Sequence, residues 1–221
     1  LLRNRPIMSS SGVLVVLGDG GHAASVAEAA ESSGFAVAGF IEIGAESAPM
    51  ESLSSRVRGL DLETTTLAIG VGTNFLRAAI HAAVSSEFPA ASFPPIVHQT
   101  AWLSPSAEIA DGVTLLAHSS VGPNARLGLG SLVNTGASLD HDGELGDFAS
   151  LGPGARTGGN VTIGSRTMIG LQAGILQGRT VGEDSVVGAQ SLVLEDIPSL
   201  SVAVGSPSRV IRSREREEQY Y

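Results

Sequence analysis

The chain contains five histidines, His22, His81, His98, His118 and His141, and no cysteine. Thiolate chemistry and disulfides are therefore excluded. A histidine metal site on a repeat scaffold needs several imidazoles converging from closely spaced positions. The spacing here offers no such set, so no metal is expected. His141 is the strongest candidate for a general base. It sits in LDHDGE, between Asp140 and Asp142. A neighbouring carboxylate stabilises an imidazolium and fixes the ring's orientation. A ring held this way suits removing a proton from an amine or hydroxyl as it attacks an acyl carbon. The plainer alternative is a solvated turn histidine. His118, in LLAHSS, competes but has no carboxylate beside it. His81 falls in a helical stretch and His98 in a connector; both read as structural or solvated.

A second candidate site is the turn Gly18-Asp19-Gly20-Gly21-His22-Ala23. It follows an apolar run, opens an Ala- and Glu-rich stretch, and fits G-x-G-x-x-G/A. Glycines there let the backbone approach a diphosphate, which then rests on a helix N-terminus. Glu42 ends the next apolar run and is placed to accept hydrogen bonds from ribose hydroxyls. The pattern fits NAD as well as any other nucleotide diphosphate. A tight turn without a ligand also stays open.

These residues need elements to hold them, and the two halves of the chain follow different rules. Residues 13–97 alternate strands and helices: strands over 13–17, 35–41 and 66–71, a helix over 23–33, and a helix capped by Asn74 running to about 86. That order predicts a small Rossmann-like α/β domain with a parallel sheet. Residues 44–58 read as mostly loop, and the proline-rich stretch 88–100 as the connection. A leader over 1–12 and a fraying tail within 201–221 complete the division.

From Leu103 the chain divides into sixteen unbroken hexads, ending at Pro198. The first position is Leu, Ile or Val in fifteen; Thr157 is the exception. The second is Gly in nine, and the fifth is usually small. This grammar predicts a parallel β-helix over 98–200, mainly β, with triangular coils of three hexads. First-position aliphatics point inward, small fifth residues fit the interior, and Gly supplies backbone freedom at corners. Gly159 lies 18 residues after His141, one whole coil (159 − 141 = 18), so its N–H is placed to stabilise an oxyanion beside that ring. Leu171 and Ala189 share a different edge (189 − 171 = 18).

The net charge of −9 and pI of about 4.9 leave no basic field for nucleic acid. Apolar runs are too short for a membrane span. With no secretory signal, the cytoplasm is the expected compartment.

GDGGHAASVAEAAESSGFAVAGFIE, LAIGVGTNFLRAAI, the hexads, HDGELGDF and GSPSRVI together resemble the bacterial sugar O-/N-acyltransferases, within the hexapeptide-repeat superfamily. The resemblance covers about 13–212. It implies a left-handed helix sense and acetyl transfer from acetyl-CoA to a UDP-linked 4-amino-sugar. Sialic-acid-type O-acetylation is the nearest alternative, and a non-catalytic nucleotide-binding scaffold a third. It implies His141 as base with Asp142 tuning it. Gly20, Gly21, His22, Glu42 and Asn74 would hold the nucleotide-sugar, and Ser150, Gly159, Leu171 and Ala189 acetyl-CoA. Joining the His141 edge to the Leu171 and Ala189 edge is easiest between neighbouring prisms, which with the resemblance predicts a homotrimer with three inter-subunit sites. Two positions depart from relatives: Ile43 replaces a second acid, and Ser150 stands where some carry a cofactor-contacting His.

Overall fold

The computed structural model describes residues 12–43 and 50–220. The leader expected before Gly12 and the stretch 44–49 lie outside them.

Val13–Leu17 (β1), Ala36–Ile41 (β2) and Thr65–Ile69 (β3) form a parallel sheet in the order β2-β1-β3. Strand β1 is central and buries both faces. Leu14 and Val16 pack under helix Gly21–Ser32 (α1) with Ala23, Val26 and Ala30. Val15 and Leu17 pack on the other side with Ile80 and Val84 of helix Asn74–Glu87 (α3). A strand followed by a Gly-rich turn and an Ala-rich helix yields this doubly wound arrangement. Gly70 lets β3 approach α1 closely: a Cβ there would lie 2.6 Å from the Ala23 Cα.

The stretch expected to be loop contains a helix, Met50–Val57 (α2). Among the residues whose side chains are described, Leu53 and Val57, four apart, are buried in its core contact. Apolar positions spaced among serines give a weak periodic signal, and tertiary packing sets the helix. The helix over 74–87 forms as expected, but Thr73 is its N-cap residue and Asn74 caps nothing.

The second half is a triangular β-solenoid. Its three faces hold 8, 6 and 5 strands among the described residues. From Ile96–Val97 to Leu192–Val193, each strand pairs in parallel with the one 18 residues away, as Glu144 with Thr162. The interior is the predicted one: Val121, Leu139 and Leu151 from first positions, Ala125, Ala137 and Ala155 from fifth. It begins one hexad early, because Ile96–Val97 already pairs with Thr114–Leu115. It ends with a short turn. Ile197, fifth in the expected hexad VLEDIP, sits against Val181, and Ala203 against Val187. The last coil is therefore two residues short.

The glycine argument needs correction. Fourth positions turn the corners, from Gly112 through His118, Asn124, Gly130 and Asp142 to Gln190, all in the left-handed region. Second-position glycines are there because adjacent coils crowd them. A Cβ on Gly146 would lie 2.6 Å from the Ser165 N, and one on Gly170 2.7 Å from the Ala189 N.

The tail is packed rather than frayed. Ser201–Val204 and Arg209–Ser213 form an antiparallel pair on the first face. Arg214 is buried and donates to the Asp184 carbonyl. Arg216 meets the buried Asp184 carboxylate, which also takes a two-point contact from Arg166. The Tyr220 hydroxyl accepts the Asn74 N–H. A buried acid gave these charges a partner that local sequence does not reveal.

Candidate active site

Each edge of the prism carries different residues. The edge between the second and third faces carries His141. Leu139 ends one strand, Glu144 starts the next, and the turn between is held on all sides. The Asp140 N–H donates to the Thr157 hydroxyl (3.0 Å), the His141 N–H to Asp140 Oδ1 (2.7 Å) and the Asp142 N–H to the Pro123 carbonyl (2.9 Å). The His141 carbonyl accepts the Asn160 N–H at 2.9 Å. Thr157, the one polar anchor in its column, thus serves the His141 turn.

The imidazole projects outward and is half exposed. Its Nδ1 lies 2.8 Å from Asp142 Oδ2, and Asp142 Oδ1 accepts from Asn124 Nδ2 at 3.1 Å. This bond makes Nδ1 the protonated nitrogen of the neutral ring and leaves Nε2 as the free base. The Asp142 hydrogen bond raises the His141 pKa above the ordinary 6.5, against desolvation and with help from the charges of Asp140 and Asp142. The bonds from His141 and Asn124 hold the Asp142 carboxyl below its usual value. Asn124 escaped the sequence reading, although it sits one coil before Asp142 (142 − 124 = 18). Gly159 lies under the ring, where any Cβ would overlap Cε1 and Nε2.

Leu171 and Ala189 lie on the edge between the first and second faces, and Leu171 is 48% exposed. An exposed apolar ridge of this kind suits the pantetheine arm of acetyl-CoA. Arg212 pairs with Glu218, and Arg209 donates to the Ser208 carbonyl. Among the described residues no three His, Asp or Glu side chains converge as a metal site, and no helix is long and apolar enough to cross a membrane.

In the front domain, the turn after β1 opens α1 with Gly20 as N-cap residue and no side-chain cap. A Cβ on Gly20 or Gly21 would meet nothing within 4 Å. Neither glycine is required by the chain's own packing, which leaves room for an outside group at the free N–H donors. His22 follows, beside Gly72, and neither ring nitrogen bonds a described residue. Burial, with Arg77's charge second, depresses its pKa to about 4, so it is neutral at pH 7. Glu42 is exposed just beyond β2.

Asn74 and Ser150 are elsewhere. Both are buried in the seam between the domains, where the Ser150 hydroxyl donates to Asn74 Oδ1 at 2.6 Å. α1 packs on Ile96, Leu116 and Leu132 of the first face, opposite the edge bearing His141. Within one chain the glycine turn and the imidazole therefore lie on different sides of the prism.

Residues 13–84 match the family model described as the PglD N-terminal domain. The acetyltransferase domain of PglB from Neisseria gonorrhoeae, solved with acetyl coenzyme A, is 31% identical, with a TM-score of 0.80, covering 91% of this chain and 100% of that one. The chain belongs to the hexapeptide-repeat sugar acyltransferases. Another member, a histidine-to-alanine variant of GDP-perosamine N-acetyltransferase from Caulobacter crescentus in complex with CoA and GDP-perosamine, is 29% identical, with a TM-score of 0.82, covering 91% of this chain and 98% of that one. The Escherichia coli galactoside O-acetyltransferase is 48% identical over 54 residues. This chain spans only about a quarter of the length of such curated relatives, 26% and 27% in two cases. As in other hexapeptide-repeat acyltransferases, the coils form a left-handed parallel β-helix.

Proposed function

We propose that this protein transfers acetyl from acetyl-CoA to the amino group of a UDP-linked 4-amino-sugar, with His141 as general base. The observation that carries this reading is the ring's geometry. Nδ1 is held by Asp142 at 2.8 Å, while Nε2 stays free above Gly159. Acetyl-CoA supplies the activated acetyl group. The chain's own part is to position and to move a proton. His141 Nε2 accepts the proton of the amine as its nitrogen bonds the acetyl carbon, Asp142 steadies the charge that forms on the ring, and the ring gives the proton to the CoA sulfur as the C–S bond breaks. The Gly159 N–H, which bonds no described acceptor, faces the acetyl oxygen. No acyl-enzyme is invoked: the chain has no cysteine, and the His141 and Asp142 pair bonds no serine among the described residues. Gly20, Gly21 and His22 hold the diphosphate and sugar, with Glu42 near the nucleoside.

Because the glycine turn and His141 lie on different sides of one prism, the complete site is assigned between subunits. One chain's front domain presents the sugar to the next chain's His141. Unlike surfaces in contact close into a ring, here of three. Both co-substrates are charged metabolites made in the cytoplasm, where this reading puts the enzyme.

The test is a mass-spectrometric screen of UDP- and GDP-linked amino-sugars with acetyl-CoA. Acetylation of a UDP-linked 4-amino-sugar is expected. GDP-linked sugars belong in the screen because the Caulobacter enzyme is solved with GDP-perosamine. Turnover of hydroxyl sugars alone would favour O-acetylation, the activity named for the Escherichia coli relative.

A further inference from the structure

Among the described residues, Arg77 is a buried cation that meets no carboxylate. It lies near the start of α3, is 4% exposed and uses every guanidinium nitrogen. Nε donates to the Gly130 carbonyl at 2.9 Å. Nη1 donates to the carbonyls of Val71 (3.1 Å) and Gly72 (3.2 Å). Nη2 reaches Asn74 Oδ1 (3.0 Å), the Phe148 carbonyl (2.9 Å) and the Ser150 hydroxyl (2.9 Å). All its partners are neutral.

Such a placement is costly. A buried charge loses hydration that neutral acceptors only partly return. The start of a helix also carries positive partial charge and disfavours a cation. A residue that merely filled the seam would be cheaper as an apolar side chain. Guanidinium offers what an apolar residue lacks: a rigid planar fork that fixes several acceptors in one geometry.

Those acceptors belong to separate parts of the molecule. Gly130 and Phe148 are successive corners of the edge between the third and first faces. Asn74 extends the grip to the next coil, through Nδ2 to the carbonyls of Arg166 (3.1 Å) and Thr167 (3.0 Å). Val71 and Gly72 form the loop after β3, at the same end of the sheet as the glycine turn. That loop lies beside His22, where a Cβ on Gly72 would lie 4.0 Å from His22 Cγ. The fork therefore ties the loop beside His22 to the solenoid of the same chain.

We propose that Arg77 is a positioning residue for the acceptor: it sets the loop at Val71 and Gly72, and with it His22, in fixed relation to the solenoid. Nothing in its contacts reaches the ridge of Leu171 and Ala189. Loss of the fork should therefore weaken the acceptor and spare the donor. The inference rests on the acetyltransferase reading above.

The test is steady-state kinetics of wild-type protein, Arg77→Met and Arg77→Lys, with acetyl-CoA and a UDP-linked 4-amino-sugar or GDP-perosamine, whichever the wild type acetylates. Arg77→Met should raise the acceptor KM by about tenfold or more, leaving the acetyl-CoA KM within about twofold. Arg77→Lys should recover only part of the loss, because it keeps the charge but not the fork. An unchanged acceptor KM overturns the proposal, as does an equal rise for both substrates. Should Arg77→Met fail to fold, Ser150→Ala removes one partner of the fork. A rise in acceptor KM alone supports the proposal, and no change overturns it. Wild-type protein that acetylates no amino-sugar defeats the acetyltransferase reading and this inference together; the variant results alone defeat only the inference.

Discussion

The imidazole of His141 rests on the backbone of Gly159, one coil further along the same edge, so closely that no side chain fits between them. Gly159 does not take up a left-handed backbone conformation. The requirement for glycine is therefore set by the ring above it. Gly159→Ala should displace the imidazole from Asp142 while leaving the coil intact. Turnover should fall by on the order of 100-fold, with stability changed by less than about 1 kcal/mol. Thermal melting beside kcat checks both halves.

The Asp142 contact sets the pH dependence. A base must be unprotonated to act, so activity should rise with pH through the His141 pKa, which Asp142 lifts above 6.5. Asp142→Asn removes the main cause of that rise. The acidic limb of the kcat/KM profile should move to lower pH. Its plateau should also fall, by part of the roughly 10²–10⁴-fold that a general base supplies.

His22 gives a separate pH signature, in stability. Its folded pKa of about 4 lies below the ordinary 6.5 of an unfolded chain. The contribution is present above pH 6.5 and is lost as pH falls from 6.5 toward 4, because the unfolded chain then binds a proton the native state refuses. The loss reaches at most about 1.4 kcal/mol per pH unit. His22→Gln should flatten that part of the curve in denaturant titrations at several pH values. His81, whose pKa burial also lowers, remains in both proteins.

The two glycine classes separate by substitution. Gly146→Ala places a methyl against the next coil, 2.6 Å from the Ser165 N, and should cost about 1–3 kcal/mol. Gly136 has φ +66° and open space around its missing Cβ. Asn fills equivalent corners at 124 and 160. Gly136→Asn should therefore be nearly neutral in chemical denaturation.

The solenoid was legible because one rule repeats: each first position faces the same interior, so chance interruptions stand out. Thr157 is the instructive interruption. It reads as a defect in the column, yet its hydroxyl holds the Asp140 N–H below His141. The pairing of His141 with Asp142, and with Gly159 by coil arithmetic, was also within reach, since both follow from local order and period. The seam was not. Asn74, Arg77 and Ser150 meet only after two domains with different grammars dock, and no periodicity connects them. The same holds for the tail. Its arginines look solvated until Asp184, a corner residue 30 positions before Arg214, is seen buried beneath them. Helix α2 lacked signal for a simpler reason: its apolar positions are few and set among serines, with Leu53 and Val57 buried among the described side chains.

The central claim is that His141 removes the proton of the acceptor amine. Its most direct test is the turnover of His141→Asn on the amino-sugar the wild type acetylates, with acetyl-CoA affinity measured by calorimetry on the same sample. A fall in kcat of roughly 10²–10⁴-fold with acetyl-CoA affinity preserved is the predicted result. Turnover within a few-fold of wild type, in protein that is folded and binds acetyl-CoA, would contradict it.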